Sequence, residues 1–307
     1  MYRPSFAPTG RAARFALAAA MLAAAHPAWS GGIPFAGNRP ESFEFSTQFT
    51  DPYDSFGQYL QYNDDNKAFN DAGAKVKGSG GETVVGLSSR LHYFKIGALP
   101  DWGFVASLTV PEVRVQSAQS AASGIGDPLI GGLAFTNPLP GMTAGVQAYV
   151  QAPIGSDRVT TDTWSLWPSL FVNQWAGPVN IDLLAGGILR STTHRSGQPD
   201  VDAGNTWHAN LRVGYSLSPS APFAIPFVSL DSQGTGKSRS GGAVLTRSDS
   251  RETAAGLGVL FQLKPGSSSL WHPQKTYDQL SIHYARGISG KNTSVTNGLF
   301  AQYWHYW

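Results

Sequence analysis

Residues 142–153 read MTAGVQAYVQAP, and the alternation in this stretch decides the fold. Every even-numbered residue from Met142 to Ala152 is apolar, whereas most of the odd-numbered residues are polar or aromatic. Successive side chains of a β-strand point to opposite faces, so the stretch predicts a strand with one apolar and one mostly polar face. In a soluble sandwich the apolar face packs inward, whereas in a membrane barrel it faces lipid and the polar face lines the interior.

The same alternation recurs in three other segments, which favours the barrel. The segment 205–217 sets Trp207, Ala209, Leu211, Val213, Tyr215 and Leu217 against His208, Asn210, Arg212, Gly214 and Ser216. The segment 82–94 sets Val85, Leu87, Leu91 and Tyr93 against Gly86, Ser88, Arg90 and His92, and 252–263 is similar. Because charged groups are costly in a dry core, we expect the apolar faces to meet lipid and the polar faces to meet water.

Twelve segments follow this pattern and predict an all-β fold, an antiparallel transmembrane β-barrel of about twelve strands. Most of them reach the ~9–11 residues that a tilted membrane strand needs. The predicted strands are 55–63, 82–94, 102–112, 127–135, 142–153, 164–174, 178–190, 205–217, 223–233, 252–263, 277–287 and 297–307.

Short and long connections alternate along most of the chain. Short connections such as TNPLPG (136–141) are separated by long polar ones such as STTHRSGQPDVDAG (191–204), and the long segment 264–278 breaks the rule. Outer-membrane barrels have short periplasmic turns and longer external loops. We therefore expect the loops around Lys67, Arg195 and Lys237 outside the cell and the turns at Pro138 and Pro219 in the periplasm.

The N-terminus has the layout of a secretory signal peptide. Three arginines precede the apolar run FALAAAMLAAA, and AWS ends at Ser30 with small residues at the two positions that a signal peptidase reads. We predict a signal peptide over residues 1–30, an N-terminal extension or plug over 31–54 and the barrel over 55–307. Removing the three arginines changes the formal charge from +2 to −1, and the chain contains no cysteine.

The sequence carries no pattern that points to catalysis, a cofactor or a metal. The nearly neutral mature chain gives no argument for binding nucleic acid. GTGKS (234–238) lacks the first glycine of a phosphate-binding loop, and no helical pattern follows it. No catalytic residue, cofactor-binding residue or metal ligand is therefore predicted, and the chain is not expected to be an enzyme.

The candidate site is instead the inner face of the predicted barrel. Its expected lining combines ring surfaces with hydrogen-bonding groups and few charges, which suits a small ring carrying one polar group better than an ion. The predicted lumen-lining residues are Arg90, His92, Gln147, Tyr149, Gln151, His208, Asn210 and Arg212.

Three short motifs resemble an outer-membrane family named for the meta-pathway of phenol degradation. They are Gly124-Ile125-Gly126-Asp127, Pro153-Ile154-Gly155 and Trp164-Ser165-Leu166-Trp167-Pro168, and the resemblance extends from about Phe56 to the C-terminus. It implies an outer-membrane transporter of small aromatic compounds. The C-terminus is similar to the signal read by the barrel-assembly machinery, since Trp307, Tyr303, Ala301 and Leu299 fit, although His305 departs from it.

The sequence therefore predicts a channel for small hydrophobic, aromatic compounds in the outer membrane of a Gram-negative bacterium. Its expected partners are outer-membrane lipid, the barrel-assembly machinery and the solute. A structural or adhesin-like barrel remains the alternative, because the loop GKSRSGGAVLTRSDSR (236–251) is long and basic. A lipid-acting enzyme ranks lower, since no Ser–His pair lies on the apolar faces.

Overall fold

The structure is a computed structural model that describes residues 51–117, 121–194, 199–217, 224–263 and 277–307, without the side chain of residue 277. The predicted signal peptide and nearly all of the predicted extension lie outside these residues, as do the positions Arg195 and Pro219. Within the described ranges, no helix is both long enough and apolar enough to cross a bilayer.

Twelve antiparallel strands form a closed barrel, so the predicted fold class is confirmed. Each strand pairs with its neighbours in sequence, and the last strand closes the barrel on the first through pairs running from Ser55–Tyr306 to Asn63–Gly298. The strands are β1 (Tyr53–Asp64), β2 (Glu82–Phe94), β3 (Trp102–Gln116), β4 (Leu129–Thr136), β5 (Met142–Gln151), β6 (Ser165–Ala176), β7 (Val179–Arg190), β8 (Thr206–Tyr215), β9 (Ala224–Thr235), β10 (Ser250–Gln262), β11 (Tyr277–Lys291) and β12 (Asn297–Tyr306).

The two ends of the barrel differ in their connections. One end, the short-turn mouth, holds the turns 95–101, 137–141 and 177–178 together with the first residue of β1 and the last residue of β12. The other end, the long-loop mouth, holds most of the long connections. Short antiparallel strands pair within these loops: Lys67–Phe69, Lys75–Lys77 and Thr293–Ser294 form one small sheet, and Thr192–Thr193, Val201–Asp202, Arg239–Ser240 and Ala243–Val244 form another.

One lysine fastens two loops to each other at the long-loop mouth. The Nζ atom of Lys291 lies 3.1 Å from Oδ1 of Asp71 and 2.9 Å from Oδ2 of Asp249. Hydrogen bonding to this ammonium group lowers the pKa of the Asp71 and Asp249 carboxyls below the ordinary value. The three groups lie near the surface, so their contribution to stability is small.

Three aromatic rings lie flat against the inner wall, each over a glycine of the adjacent strand. Trp304 on β12 covers Gly57, and Phe171 on β6 covers Gly145. Phe135 on β4 covers Gly103 in the same way. A Cβ atom on any of these glycines would overlap the ring, so the missing side chain is what allows the ring to lie along the wall. The bulk of these aromatic groups therefore stays out of the centre of the barrel.

Candidate functional site in the barrel interior

The quoted strand β5 has the orientation that its alternation predicts. Val146 and Val150 are exposed on the outer wall, while Gln147, Tyr149 and Gln151 are only 4–6% exposed and face the interior. The inner polar residues are also held in place, since Ser165 on β6 donates a hydrogen bond to Oε1 of Gln151 at 2.9 Å. The interior is therefore the polar side of this part of the wall.

Strand β8 brings the next three predicted residues to the inner wall. His208, Asn210 and Arg212 are buried, whereas Trp207 and Tyr215 are exposed on the outer side of the same strand. Six of the eight predicted residues thus point into the barrel, three on β5 and three on β8.

Strand β2 turns the opposite face inward from the one predicted. The prediction that Arg90 and His92 line the lumen is therefore wrong. Both side chains lie on the outer wall, where they are 68% and 50% exposed and pair with Asp54 at 3.5 Å and 3.3 Å. The apolar residues of this strand, including Leu91 and Tyr93, are buried inside. The physical reason is that the interior here is apolar, so the apolar face of β2 finds its partners inside the barrel rather than in lipid.

These inward apolar residues belong to a cluster that covers much of the inner wall. It extends over strands β12, β1, β2, β3 and β4 and continues to one residue each of β6 and β7. Its buried members are Tyr59, Val85, Leu87, Leu91, Tyr93, Val105, Leu133, Phe135, Phe171, Leu184, Trp304 and Tyr306. Within it, the ring of Trp304 meets that of Tyr59 edge-on, with centroids 5.4 Å apart.

The inner faces of β6 to β9 carry a charged network. Arg212 donates from Nε to Oδ2 of Asp182 at 2.9 Å, and its Nη2 also contacts that oxygen. Asn173 donates to the other oxygen of Asp182 at 2.7 Å. The guanidinium group lies 5.1 Å from the ring centre of Phe227, within cation–π range. A buried ion pair of this kind holds its geometry because breaking it leaves an uncompensated charge.

A second polar chain runs beside the ion pair. His208 lies 3.3 Å from Oγ of Ser169 through Nε2 and 3.2 Å from Oδ1 of Asn210 through Nδ1. Asn210 in turn donates to Oδ1 of Asp231 at 2.7 Å. These contacts account for the predicted residues of β8 and show why the strand tolerates them inside the barrel.

Stacked rings connect the polar and apolar parts of the wall. His283 on β11 stacks on Phe300 of β12 with ring centres 4.4 Å apart, and on its other side it meets Phe227 of β9 at 5.8 Å. The guanidinium group of Arg212 lies over the ring of Phe227. A path of aromatic surface therefore passes from β12 to the ion pair along the inside of the barrel.

Several buried polar atoms on the inner wall have no hydrogen-bonding partner among the described residues. They include Oε1 of Gln147, both amide atoms of Gln279, Nε2 of Gln302 and Nε1 of Trp304. Gln279 and Trp304 lie opposite each other in the β11–β12 pairing. A buried polar atom without a partner costs free energy, so a hydroxyl or carbonyl group that reached one of these atoms would gain a hydrogen bond.

The glycine-rich motifs form a clamp between two connections rather than part of the interior path. Asp127 accepts hydrogen bonds from the backbone N–H of Gly155 and Thr161 and from the hydroxyls of Thr160 and Thr161, at 2.7–2.9 Å. Ser156 adds two contacts to Ile125. A Cβ atom on Gly155 would come within 3 Å of the backbone at residues 126 and 127. The motif glycines therefore permit the close approach of the two segments.

Sequence reasoning missed several residues of the interior, above all Asp182, Asp231 and Asn173. Asp182 and Asp231 sit in the apolar runs NIDLLAGG and FVSLDSQG, where a single carboxylate at an inward position was the available signal. Among the described residues, no group of three or more histidine, aspartate and glutamate side chains is placed to hold a metal ion.

The comparisons with known proteins agree with this geometry. Residues 51–303 match the family described as "Putative MetA-pathway of phenol degradation". The chain belongs to this family. The match spans the barrel from its first strand almost to the end of β12, which confirms the resemblance drawn from the short motifs. A search of curated proteins finds no match.

Solved structures of similar fold are outer-membrane barrels. The COG4313 outer membrane channel from Pseudomonas putida F1 aligns with a TM-score of 0.72 at 16% identity, covering 86% of this chain and 98% of that chain. The translocator domain of autotransporter NalP from Neisseria meningitidis aligns with a TM-score of 0.46 at 11% identity, covering 96% of each chain. Family membership and the barrel fold together place this protein in the outer membrane of a Gram-negative bacterium.

Proposed function

We propose that the interior of this barrel is a passage for small hydrophobic compounds, in particular aromatic rings that carry one polar group. The observation that carries the proposal is the pairing of an apolar, ring-rich wall with a buried polar network inside the same barrel. A solute with one apolar body and one polar group finds a partner for each part in such an interior.

The contacts of the interior suit this class of solute. Offset or edge-on ring contacts contribute roughly 0.5–1.5 kcal/mol beyond buried area, so the rings of Tyr59, Trp304 and Phe300 offer weak and repeated contacts. The unpartnered atoms of Gln147, Gln302 and Trp304 offer hydrogen bonds to a hydroxyl group. Weak contacts along a path favour passage, because a solute must leave each position as readily as it enters.

The inner charges argue against a general ion pore. Arg212 and Asp182 neutralise each other at hydrogen-bonding distance, so neither presents a free charge to a passing ion. An apolar stretch of wall also raises the free energy of any ion that has shed part of its water. Membership of the phenol-degradation family and the likeness to an outer membrane channel from Pseudomonas putida support transport by the same barrel.

The test compares uptake by a strain lacking the gene with uptake by the same strain carrying it on a plasmid. We expect the deletion to slow uptake of a labelled phenol at low external concentration, where crossing the outer membrane limits the rate, while uptake of a small sugar changes little. Equal phenol uptake by the two strains over the whole low-concentration range would overturn the proposal and favour a structural or surface-binding barrel.

We also infer that β12 acts as the signal for insertion by the barrel-assembly machinery. Leu299 and Tyr303 are exposed on the outer face of this strand, and Trp307, directly after it, is exposed as well. All three are available to another protein before lipid covers them. Replacing Trp307 with Ser is expected to lower the amount of folded barrel in the outer membrane, measured by the loss of heat-modifiable migration on gels. Unchanged levels of folded barrel would contradict this inference.

A further inference from the structure

The outer wall of β1, β2 and β3 carries a cluster of polar side chains at a place where lipid is expected. Oγ of Ser88 lies 2.8 Å from Oε1 of Gln58 and 3.2 Å from Oε1 of Glu112, so one residue from each strand joins the cluster. We name these three residues with Arg90 and Arg114 the outer polar face. Glu112, Arg90 and Arg114 are exposed.

The outer polar face includes the middle of the wall as well as its rim. Ser88 is the central residue of the thirteen in β2, and Gln58 is near the middle of the twelve in β1. Elsewhere the outer wall carries exposed apolar side chains well inside the strands, as at Val146, Leu170 and Leu257. An arginine on the lipid face is destabilising, most of all near the bilayer midplane, and polar groups that face acyl chains lose their hydrogen bonds to water.

Gly86 leaves room for the side chain of Glu112 within the outer polar face. A Cβ atom on Gly86 would lie 3.0 Å from Oε2 of Glu112, whereas Nε2 of Gln58 would be at an ordinary contact distance of 3.6 Å. The small residues Gly86 and Ser88 therefore keep the centre of the face low, while Arg90 and Arg114 are exposed beside it. Another surface can approach this centre closely.

We propose that the outer polar face is the surface through which two copies of this chain pair side by side in the membrane. Around a two-fold axis along the membrane normal, each residue meets the partner surface at its own depth. The amide of Gln58 and the hydroxyl of Ser88 each donate and accept, so each can pair with its own copy. Glu112 and Arg114 are two residues apart on β3 and therefore lie close enough in depth to pair across the axis.

The charges of this face also fit a second copy better than an unrelated surface. Including Asp54, which pairs with Arg90, the face carries two acidic and two arginine side chains. A face with equal numbers of both signs complements itself without a net charge. These groups already make contacts within the chain, such as Arg114 with Gln116 at 3.0 Å, and a second copy adds hydrogen-bonding partners that acyl chains cannot supply. We assign the driving force of the contact to these added partners.

The absence of cysteine from the sequence makes a direct test possible, because a single introduced thiol can form a disulfide only between chains. Ser88→Cys changes one atom at the centre of the face. Leu170→Cys is the matched control, since it lies mid-strand on the outer wall of β6 and is 64% exposed. Both variants are expressed as the full chain, checked for heat-modifiable folding, and treated in isolated outer membranes with a mild oxidant.

We expect Ser88→Cys to give a disulfide-linked dimer in a yield several-fold above that of Leu170→Cys. Adding Glu112→Leu and Arg114→Leu to Ser88→Cys is expected to lower that yield toward the control while folding is retained. Equal yields for Ser88→Cys and Leu170→Cys, or linkage of Ser88→Cys to a different protein instead of to itself, would overturn the proposal. Transport of phenol by each variant is measured separately, so failure of the dimer leaves the proposed transport function intact.

Discussion

Asp182 and Arg212 face each other across the β7–β8 pairing and form an ion pair shut inside the barrel. Nε of Arg212 donates to Oδ2 of Asp182 at 2.9 Å, and both side chains are at most 4% exposed. Each charge is therefore stabilised by the other, and Asn173 adds a hydrogen bond to Asp182 while the ring of Phe227 lies against Arg212.

Removal of one partner of this pair should be more damaging than removal of both. Arg212→Met leaves Asp182 charged and buried, so we expect the free energy of unfolding to fall by about 3–5 kcal/mol. The double variant Asp182→Leu with Arg212→Met removes both charges, and its loss should be clearly smaller. Urea titration of the protein folded in lipid vesicles measures both, and an equal loss for the two variants would contradict the buried pair.

The two faces of β5 should respond differently to the same charge. Val146→Arg places a guanidinium group in lipid, so we expect it to cost about 2–4 kcal/mol if its depth is near the midplane. Gln147→Arg on the inner face should cost much less, because polar side chains and water can receive the charge there. The comparison uses the same vesicle titration, and matching losses from the two neighbouring residues would mean that β5 is turned the other way.

A side chain on Gly145 should push the ring of Phe171 away from the inner wall. We expect Gly145→Leu to slow phenol uptake several-fold, because its Cβ atom would overlap the ring of Phe171 and also lie 2.5 Å from the carbonyl oxygen of Ala134, so the ring must move inward and the pairing of β5 with β4 must adjust. Ala144→Leu is the matched control, since the adjacent position points outward from the same strand. Uptake that falls equally in both variants would indicate general damage to β5 instead of a change in the bore.

The clamp at Asp127 should protect the connection between β5 and β6 from proteases. Asp127→Ala removes the acceptor of four hydrogen bonds, so we expect faster cleavage by trypsin after the exposed Arg158. Asp101→Ala is the control, since it removes an exposed carboxylate from a different connection and leaves the residues around Arg158 unchanged. Mass spectrometry of the fragments from reconstituted barrels follows the cut, and identical rates for the two variants would show that Asp127 does not fasten the connection.

The long-loop mouth should face the outside of the cell. An epitope inserted at Lys237, which is exposed in a long connection, should bind antibody on intact cells. An epitope at Pro138, in a short turn, should bind only after the outer membrane is opened. Antibody binding at Pro138 alone on intact cells would reverse the orientation.

The strand pattern was readable from the sequence because each membrane strand needs two distinct faces. All twelve strands follow from alternation, and the expectation that apolar faces meet lipid is correct for the inward direction of β5 and β8. Alternation does not say which face is inside, and β2 shows the consequence. Its residues Leu91 and Tyr93 have the apolar character of lipid-facing residues, but they pack inside because β1, β3 and β4 contribute apolar partners there.

The partners of the buried charges could not be predicted for a related reason. Asp182 and Arg212 are thirty residues apart, and only the register of β7 against β8 brings them opposite each other. A single inward carboxylate in a strand indicates that a partner exists without saying which residue supplies it. The outer polar face escaped prediction in the same way, since Gln58, Ser88 and Glu112 meet only when three strands are aligned.

The rings that lie over Gly57, Gly103 and Gly145 have a consequence for the evolution of the family. Because each ring occupies the volume that a neighbouring side chain would fill, the size of the residue at each of these positions is limited by the residue paired with it on the adjacent strand. A relative in which a small residue replaces one of these rings can carry a larger residue at the position of the paired glycine. A relative can gain the ring only if the paired position is already glycine. Members that differ in solute size should therefore show correlated substitutions at these pairs, with the order of the two changes fixed by steric exclusion.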